Sequence, residues 1–272
     1  MPRQGVSLKE PMKKYLKVWF QLAHISFAEQ LATRFSSILF LIGKIARFAL
    51  FLIFLVSLTG RSGGLAGYTA DQAIVFFLVF NLADIMTQLF FRGVYFFRQK
   101  VVSGEFDFYL VKPMNPLFRI MAGYTDFLDL ITIFALAVYA FAFFENSSLI
   151  ITPTNLILFI IMLVLSFLIA LAIHIIVVSI GIITTEVDHT IMIYRDLTQM
   201  GRIPVDIYAP PVRLALTYIV PIAIMLTVPA QALLGLISPN IIFFSLFLTS
   251  FFLFLSLRFF HHALSQYSSA SS

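Results

Sequence analysis

The sequence has 272 residues, 60% of them hydrophobic and 11% charged, with a mean hydropathy of +0.98, which excludes an ordinary soluble domain. Its net charge of +5 comes from basic residues beside apolar segments, where they report membrane orientation and argue against a nucleic-acid partner. The absence of cysteine removes disulfides, thiolate metal sites and thiol nucleophiles.

The fold class expected is an all-α membrane protein with six transmembrane helices. At about 20 apolar residues per crossing, six spans fit within the length. Met1 to Arg34 is polar and basic, without the short apolar core of a cleavable signal, and is expected to stay attached. Within it, Lys13 to Arg34 places Leu16, Phe20, Ala23, Phe27 and Leu31 on one face and Lys14, Lys17, Gln21 and His24 opposite. That is an amphipathic helix lying in the membrane surface, with Trp19 at headgroup level. Four apolar segments follow near Phe35 to Leu58, Gln72 to Phe91, Phe127 to Phe144 and Asn155 to Ile183.

After a polar stretch from Thr184 to Arg213, a fifth segment covers Leu214 to Leu236 and a sixth Ile241 to Phe260. Pro221 and Pro229 interrupt the fifth. Proline frees backbone carbonyls, so a break is expected near Pro229, with Ala230 to Leu236 forming a short re-entrant or surface helix. The domains expected are an N-terminal region (1–34), one membrane domain (35–262) and a C-terminal tail (263–272). Lys and Arg crowd the stretches before segment one, between two and three and between four and five, which puts both termini in the cytoplasm. The opposite loops, Thr59 to Asp71, Glu145 to Thr154 and Ser238 to Asn240, are too short for a folded domain.

Between segments two and three lies RQKVVSGEFDFYLVKPMNPLFR. Ser103 is a candidate N-cap, Glu105 and Asp107 fall in a first turn, and Pro113 stops the helix. Phe106, Tyr109 and Leu110 are available for burial. VVSGEFDFYLVKPMNPLFR resembles the loop of ABC-2-type permeases in which a Gly-acidic pair precedes an apolar run, a basic residue and P-x-x-P. GRIPVDIYAPPVRLALTYIVPIAIMLTVPAQALLG is similar to the same family's P-x-x-I-Y stretch, which leads into I-V-P and V-P-A.

The resemblance implies that Gly104, Glu105, Phe106, Asp107 and Leu110 form a coupling helix docked on a cytoplasmic ABC ATPase subunit pair. It also implies a second permease subunit, as homodimer or heterodimer, with the Pro229 to Leu236 region re-entrant on the external side. No GxxxxGK[ST] phosphate loop occurs. ATP and magnesium are therefore expected on the partner, and no cofactor or metal on this chain. The function expected is the permease subunit of an exporter in the inner membrane, in contact with lipid. An ATP-independent secondary transporter or a membrane scaffold is the alternative. A lipid-modifying enzyme lacks a convincing catalytic set.

Three ionisable residues fall inside apolar segments: Lys44, Arg47 and Asp84. At about 1.5 Å per residue, Arg47 and Asp84 come to similar depths of roughly 16 and 18 Å, so an Arg47–Asp84 ion pair is expected, shared with or replaced by Lys44, which otherwise snorkels to the membrane surface. A substrate-contacting role is the competing reading. His174 reads as a hydrogen-bonded packing residue, and the Glu186, Asp188, His189 cluster as a solvated helix end.

Overall fold

Polar caps fix where three of the long helices begin. The computed structural model describes residues 12–268. Helix α1 (Met12–Ala32) is followed after one residue by α2 (Arg34–Ser62). Thr69 opens α3 (Ala70–Phe91): its hydroxyl accepts from Gln72 N at 3.3 Å while Gln72 Oε1 accepts from Thr69 N at 2.9 Å. Two otherwise orphaned donors are thus satisfied together. The chain continues through a 3-10 turn (Arg92–Phe96) into α4 (Phe97–Val102), α5 (Glu105–Val111) and α6 (Pro116–Met121). Asp126 caps α7 (Phe127–Asn146) by accepting from Leu128 N at 3.0 Å. Thr152 caps α8 (Pro153–Thr184) through Asn155 N at 3.2 Å, with Pro153 at the position where its missing N–H costs nothing.

Among the described residues the chain is 84% helix with no strand. Five helices are long and apolar enough to cross a membrane: Arg34–Arg61, Ala70–Val102, Phe127–Asn146, Pro153–Thr184 and Pro239–Gln266. The last is α12 (Pro239–Gln266), which runs past the end expected at Phe260. Helix α3 is the centre, with 67% of its apolar stretch buried, whereas α2 lies outermost with 6%. Helix α12 packs along α8, and the buried Ala170, Ala172, Ser179, Ser245 and Ala263 on the two helices are small enough to let the backbones approach.

Helix α1 is tied to the loop before α7. Gln30 Nε2 donates to Tyr124 Oη at 3.0 Å and to Thr125 O at 3.3 Å, while its Oε1 accepts from Phe127 N at 3.2 Å. Trp19 stacks on Phe90 at 6.1 Å.

The polar stretch expected to remain a connection at one end instead runs the length of the bundle. It leaves α8 where Val187 closes on Gly181 and Arg98 pairs with Asp188 at 3.5 Å. Along α9 (Asp188–Gln199), Tyr194 meets His174 edge-on at 4.8 Å. In the following 3-10 turn, Met200–Arg202, the Arg202 guanidinium lies over Phe51 and Phe80, at 5.3 and 5.7 Å. Asp206 then accepts from the Tyr68 hydroxyl at 2.8 Å and from Gln231 Nε2 at 3.2 Å, beside the loop joining α2 to α3. The segment therefore connects the Glu105 end of the bundle to the Tyr68 end. It is amphipathic, burying Ile191, Tyr194 and Thr198 while its arginines face a groove.

The next pair of helical stretches corrects the expected break. Pro210–Ile219, which begins as α10 (Pro210–Leu214), and Ala223–Leu233, which ends as α11 (Val228–Leu233), meet at 81°. The bend is at Pro221, and Pro229 lies inside the second limb. Val220, before Pro221, adopts the extended backbone that proline imposes on its predecessor (φ −119°, ψ 98°). Val228, before Pro229, stays helical (φ −62°, ψ −40°), although a π turn precedes each proline, Ala215–Ile219 before Pro221 and Ala223–Thr227 before Pro229. The carbonyl that Pro229 leaves without its i+4 donor is that of Met225, and the Ser166 hydroxyl donates to it. The apex is buried at Ile222, and the second limb returns to the Tyr68 end, where Gly235 meets Asn155.

Candidate functional site: a basic groove and an exposed helical cap

Helix α3 carries a polar stripe at helical spacing: Asn81, Asp84, Gln88 and, one turn on, Arg92. That stripe faces a groove of about 650 Å³ enclosed by α2, α3, α7 and the lengthwise segment. Phe48 and Phe51 pack on Phe77 at 5.1 and 4.7 Å, and Phe35, Leu39 and Phe40 continue the apolar wall towards the start of α2. Into it point Lys44, Arg47, Arg92, Arg195 and Arg202, with Asp84 and Asp129 as the only carboxylates among the lining residues described.

The expected Arg47–Asp84 pair is not formed. Among the described residues neither has an oppositely charged group within 4.0 Å. The Phe48–Phe77 and Phe51–Phe77 contacts set the spacing of α2 and α3, leaving Arg47 exposed along the groove. Lys44 neither snorkels nor meets Asp84: its ammonium sits 3.3 Å from Asp126 Oδ2 and 2.5 Å from Asp129 Oδ1. The three side chains are 17%, 5% and 2% exposed, so each charge depends on its neighbours rather than on water. Sequence patterning alone does not single out Asp126, Asp129, Arg195 or Arg202 as groove residues. The usable signal was an i, i+3 pair of aspartates at the start of an apolar helix.

His174 is a packing residue: it is fully buried, its Nδ1 lies 2.7 Å from Ala170 O, and its ring contacts Phe91 and Tyr194. Glu186 and His189 are exposed and 2.9 Å apart.

At the Glu105 end, Gly104 takes a left-handed backbone (φ 75°) between α4 and α5, and the Ser103 hydroxyl accepts from Glu105 N at 3.5 Å. The cap position is therefore Gly104 rather than Ser103, because only glycine adopts that turn without strain. Lys100 pairs with Glu105 at 2.7 Å, which holds the Glu105 carboxyl below its usual range. Lys112, preceding Pro113, is extended and ends the helix. Phe106 is fully buried, edge-on to Phe97 at 5.1 Å and to Tyr267 at 5.0 Å. Asp107 is half-buried, while Phe108, Leu110 and Val111 are 63%, 40% and 78% exposed. Burial of Phe106 thus anchors a helix on which Phe108 and Val111 are largely uncovered, Leu110 is partly so, and Tyr109 packs on Phe106 and Arg119.

A family model described as ABC-2 family transporter protein matches residues 45–271. The chain belongs to this family. Comparisons with curated proteins and with solved structures found no match. Membership agrees with a multi-pass membrane protein of the ABC permease class, and the family's chains are typically membrane components without an ATPase of their own. The matched region takes in the whole of α5, the polar stripe of α3, the lengthwise segment and the bent pair at Pro221. It begins one residue after Lys44, so α1 and the first turns of α2 lie outside it.

Proposed function

We propose that this ABC-2 family chain is the permease subunit of an exporter, working as a dimer and driven by a separate pair of cytoplasmic ATPase subunits. The observation that carries this reading is α5: a short helix pinned by buried Phe106, with Phe108, Leu110 and Val111 left bare at one end of the bundle. An interface of that kind concentrates its energy in a few apolar anchors. Gly104, Glu105 and Asp107 set the turn and the first-turn charge, and Phe106 acts from beneath. ATP and its magnesium ion belong to the partner.

Orientation follows from charge. With Arg195 and Arg202 assigned to a crossing, the remaining basic residues still crowd the Glu105 end, whereas Arg61 and Arg213 lie towards the other. The Glu105 end and both termini are then cytoplasmic, in the inner membrane. The lengthwise segment becomes the fifth crossing, the bent pair at Pro221 and Pro229 a re-entrant unit opening on the external side, and α12 the sixth crossing. External loops of a few residues leave no platform for a substrate-delivery protein, which favours export over import. The outer face of α2, 6% buried, is available to lipid and to a second permease.

Copurification in mild detergent tests the assembly. The expected result is an ATPase subunit retained by the wild type and lost on Phe108→Ala with Leu110→Ala. Nucleotide hydrolysis by the purified chain alone, or undiminished ATPase retention by the double variant, would refute the reading.

A further inference from the structure

We propose that the groove binds an amphiphile with a phosphate-like anionic headgroup; this rests on the permease reading and names its substrate class. Lys44 is already engaged by Asp126 and Asp129. That leaves Arg47, Arg92, Arg195 and Arg202 against Asp84 and the one surplus negative charge of the Lys44 triad, an excess of two positive charges. An arginine is costly to place in hydrocarbon and cannot shed its proton. Their stacking contacts do not neutralise them: Arg92 and Arg195 share the Tyr95 ring at 5.0 and 5.8 Å, and Arg202 lies on Phe51 and Phe80. Stacking orients a guanidinium and leaves its N–H edges available to donate; Arg92 gives one of its bonds to Gln88 Oε1 and keeps the others.

The Nε atoms of Arg92 and Arg202 are buried and have no hydrogen-bond partner. Together with the excess positive charge, unmade bonds on two guanidinium groups that line the groove point to an anionic partner. Planar guanidinium groups in this number suit an oxyanion that accepts two bonds at once. The rest of the wall is phenylalanine and leucine, which a free anion does not require. About 650 Å³ lies within the range of small-molecule sites, roughly 300–1,000 Å³. The cations form two tiers, Arg92 with Arg195 and Arg47 with Arg202, so a headgroup can move from one pair to the next while its apolar body stays on the aromatic wall.

The test is calorimetric titration of the full chain in phosphatidylcholine nanodiscs, with empty discs subtracted, using dodecyl phosphate, dodecyl maltoside and inorganic phosphate. Dodecyl phosphate should bind at least tenfold more tightly than either control. Arg47→Gln and Arg202→Gln should each weaken it about tenfold, the scale of one charge-assisted contact, while Arg61→Gln, outside the groove, leaves it unchanged. Arg47 is exposed, so Arg47→Gln is not expected to unfold the chain, and unchanged melting of each variant verifies the comparison. Equal binding of phosphate and maltoside amphiphiles would overturn the proposal, as would inorganic phosphate matching dodecyl phosphate, or undiminished binding by both variants. The measurement needs no ATPase. Loss of ATPase copurification with binding intact therefore refutes only the permease reading, and the converse refutes only the substrate class.

Discussion

Replacing Lys44 by methionine keeps the volume of the side chain and removes the charge between Asp126 and Asp129. Both carboxylates are almost fully enclosed, and breaking a buried pair by deleting one partner costs about 3–5 kcal/mol. For a chain of this size each kcal/mol corresponds to about 2–4 °C, so Lys44→Met should lower the melting temperature by roughly 6–20 °C. Asp126 retains a partner in Leu128 N at the start of α7, but Asp129 does not, so adding Asp129→Asn should restore much of the loss. Thermal unfolding in neutral detergent, followed by emission of Trp19, the single tryptophan, reads each variant. Arg47→Gln and Asp84→Asn provide the contrast: these residues form no pair, and their effects should add within about 0.5 kcal/mol. Simple additivity of Lys44→Met and Asp129→Asn would refute the triad as an energetic unit.

Ser166→Ala should cost about 1–3 kcal/mol by leaving the Met225 carbonyl unmet, and much less in a Pro229→Ala background, where residue 229 regains its N–H; equal losses in both backgrounds in thermal melts would contradict this. The natural absence of cysteine permits single-site labelling: Ala209→Cys and Arg61→Cys should react from one side of sealed vesicles and Val111→Cys from the other. Phe106→Ala should lower the melting temperature of the isolated chain, since truncating a buried Phe costs about 3–5 kcal/mol. Phe108→Ala should leave melting unchanged and reduce ATPase retention on affinity capture.

The apolar spans were legible because roughly 20 consecutive apolar residues admit few other structures. The start of α7 and the stop at Pro113 followed from local chemistry of the same kind. What escaped was collective. Asp188 to Ile207 is polar enough to read as a connection, and it crosses the bundle only because α3, α8 and the second limb cover one face while the groove accepts the other. Pro221 and Pro229 look alike in sequence, and a π turn precedes each; at Pro229 the Ser166 hydroxyl, from 63 residues earlier in the numbering, donates to the Met225 carbonyl and so supports the helical course there. The Lys44 triad was missed because Asp126 and Asp129 sit at a helix entry, where acids are ordinarily explained as caps.

The lengthwise segment also bears on how the protein is made. A stretch carrying Asp188, Arg195, Asp196 and Arg202 is a poor candidate for insertion by itself, since Asp and Arg each oppose entry by about 2.5–3.5 kcal/mol at the centre of a helix. We therefore expect α2, α3, α7 and α8 to enter the bilayer first, with Asp188 to Ile207 threading in late, once a wall and a groove exist to receive it. In a chain truncated after Pro211 and released into the membrane, Ala209→Cys should be modified from the side on which Val111→Cys reacts, and in the full-length chain from the opposite side. Labelling of the truncated chain from the final side would contradict this order of assembly.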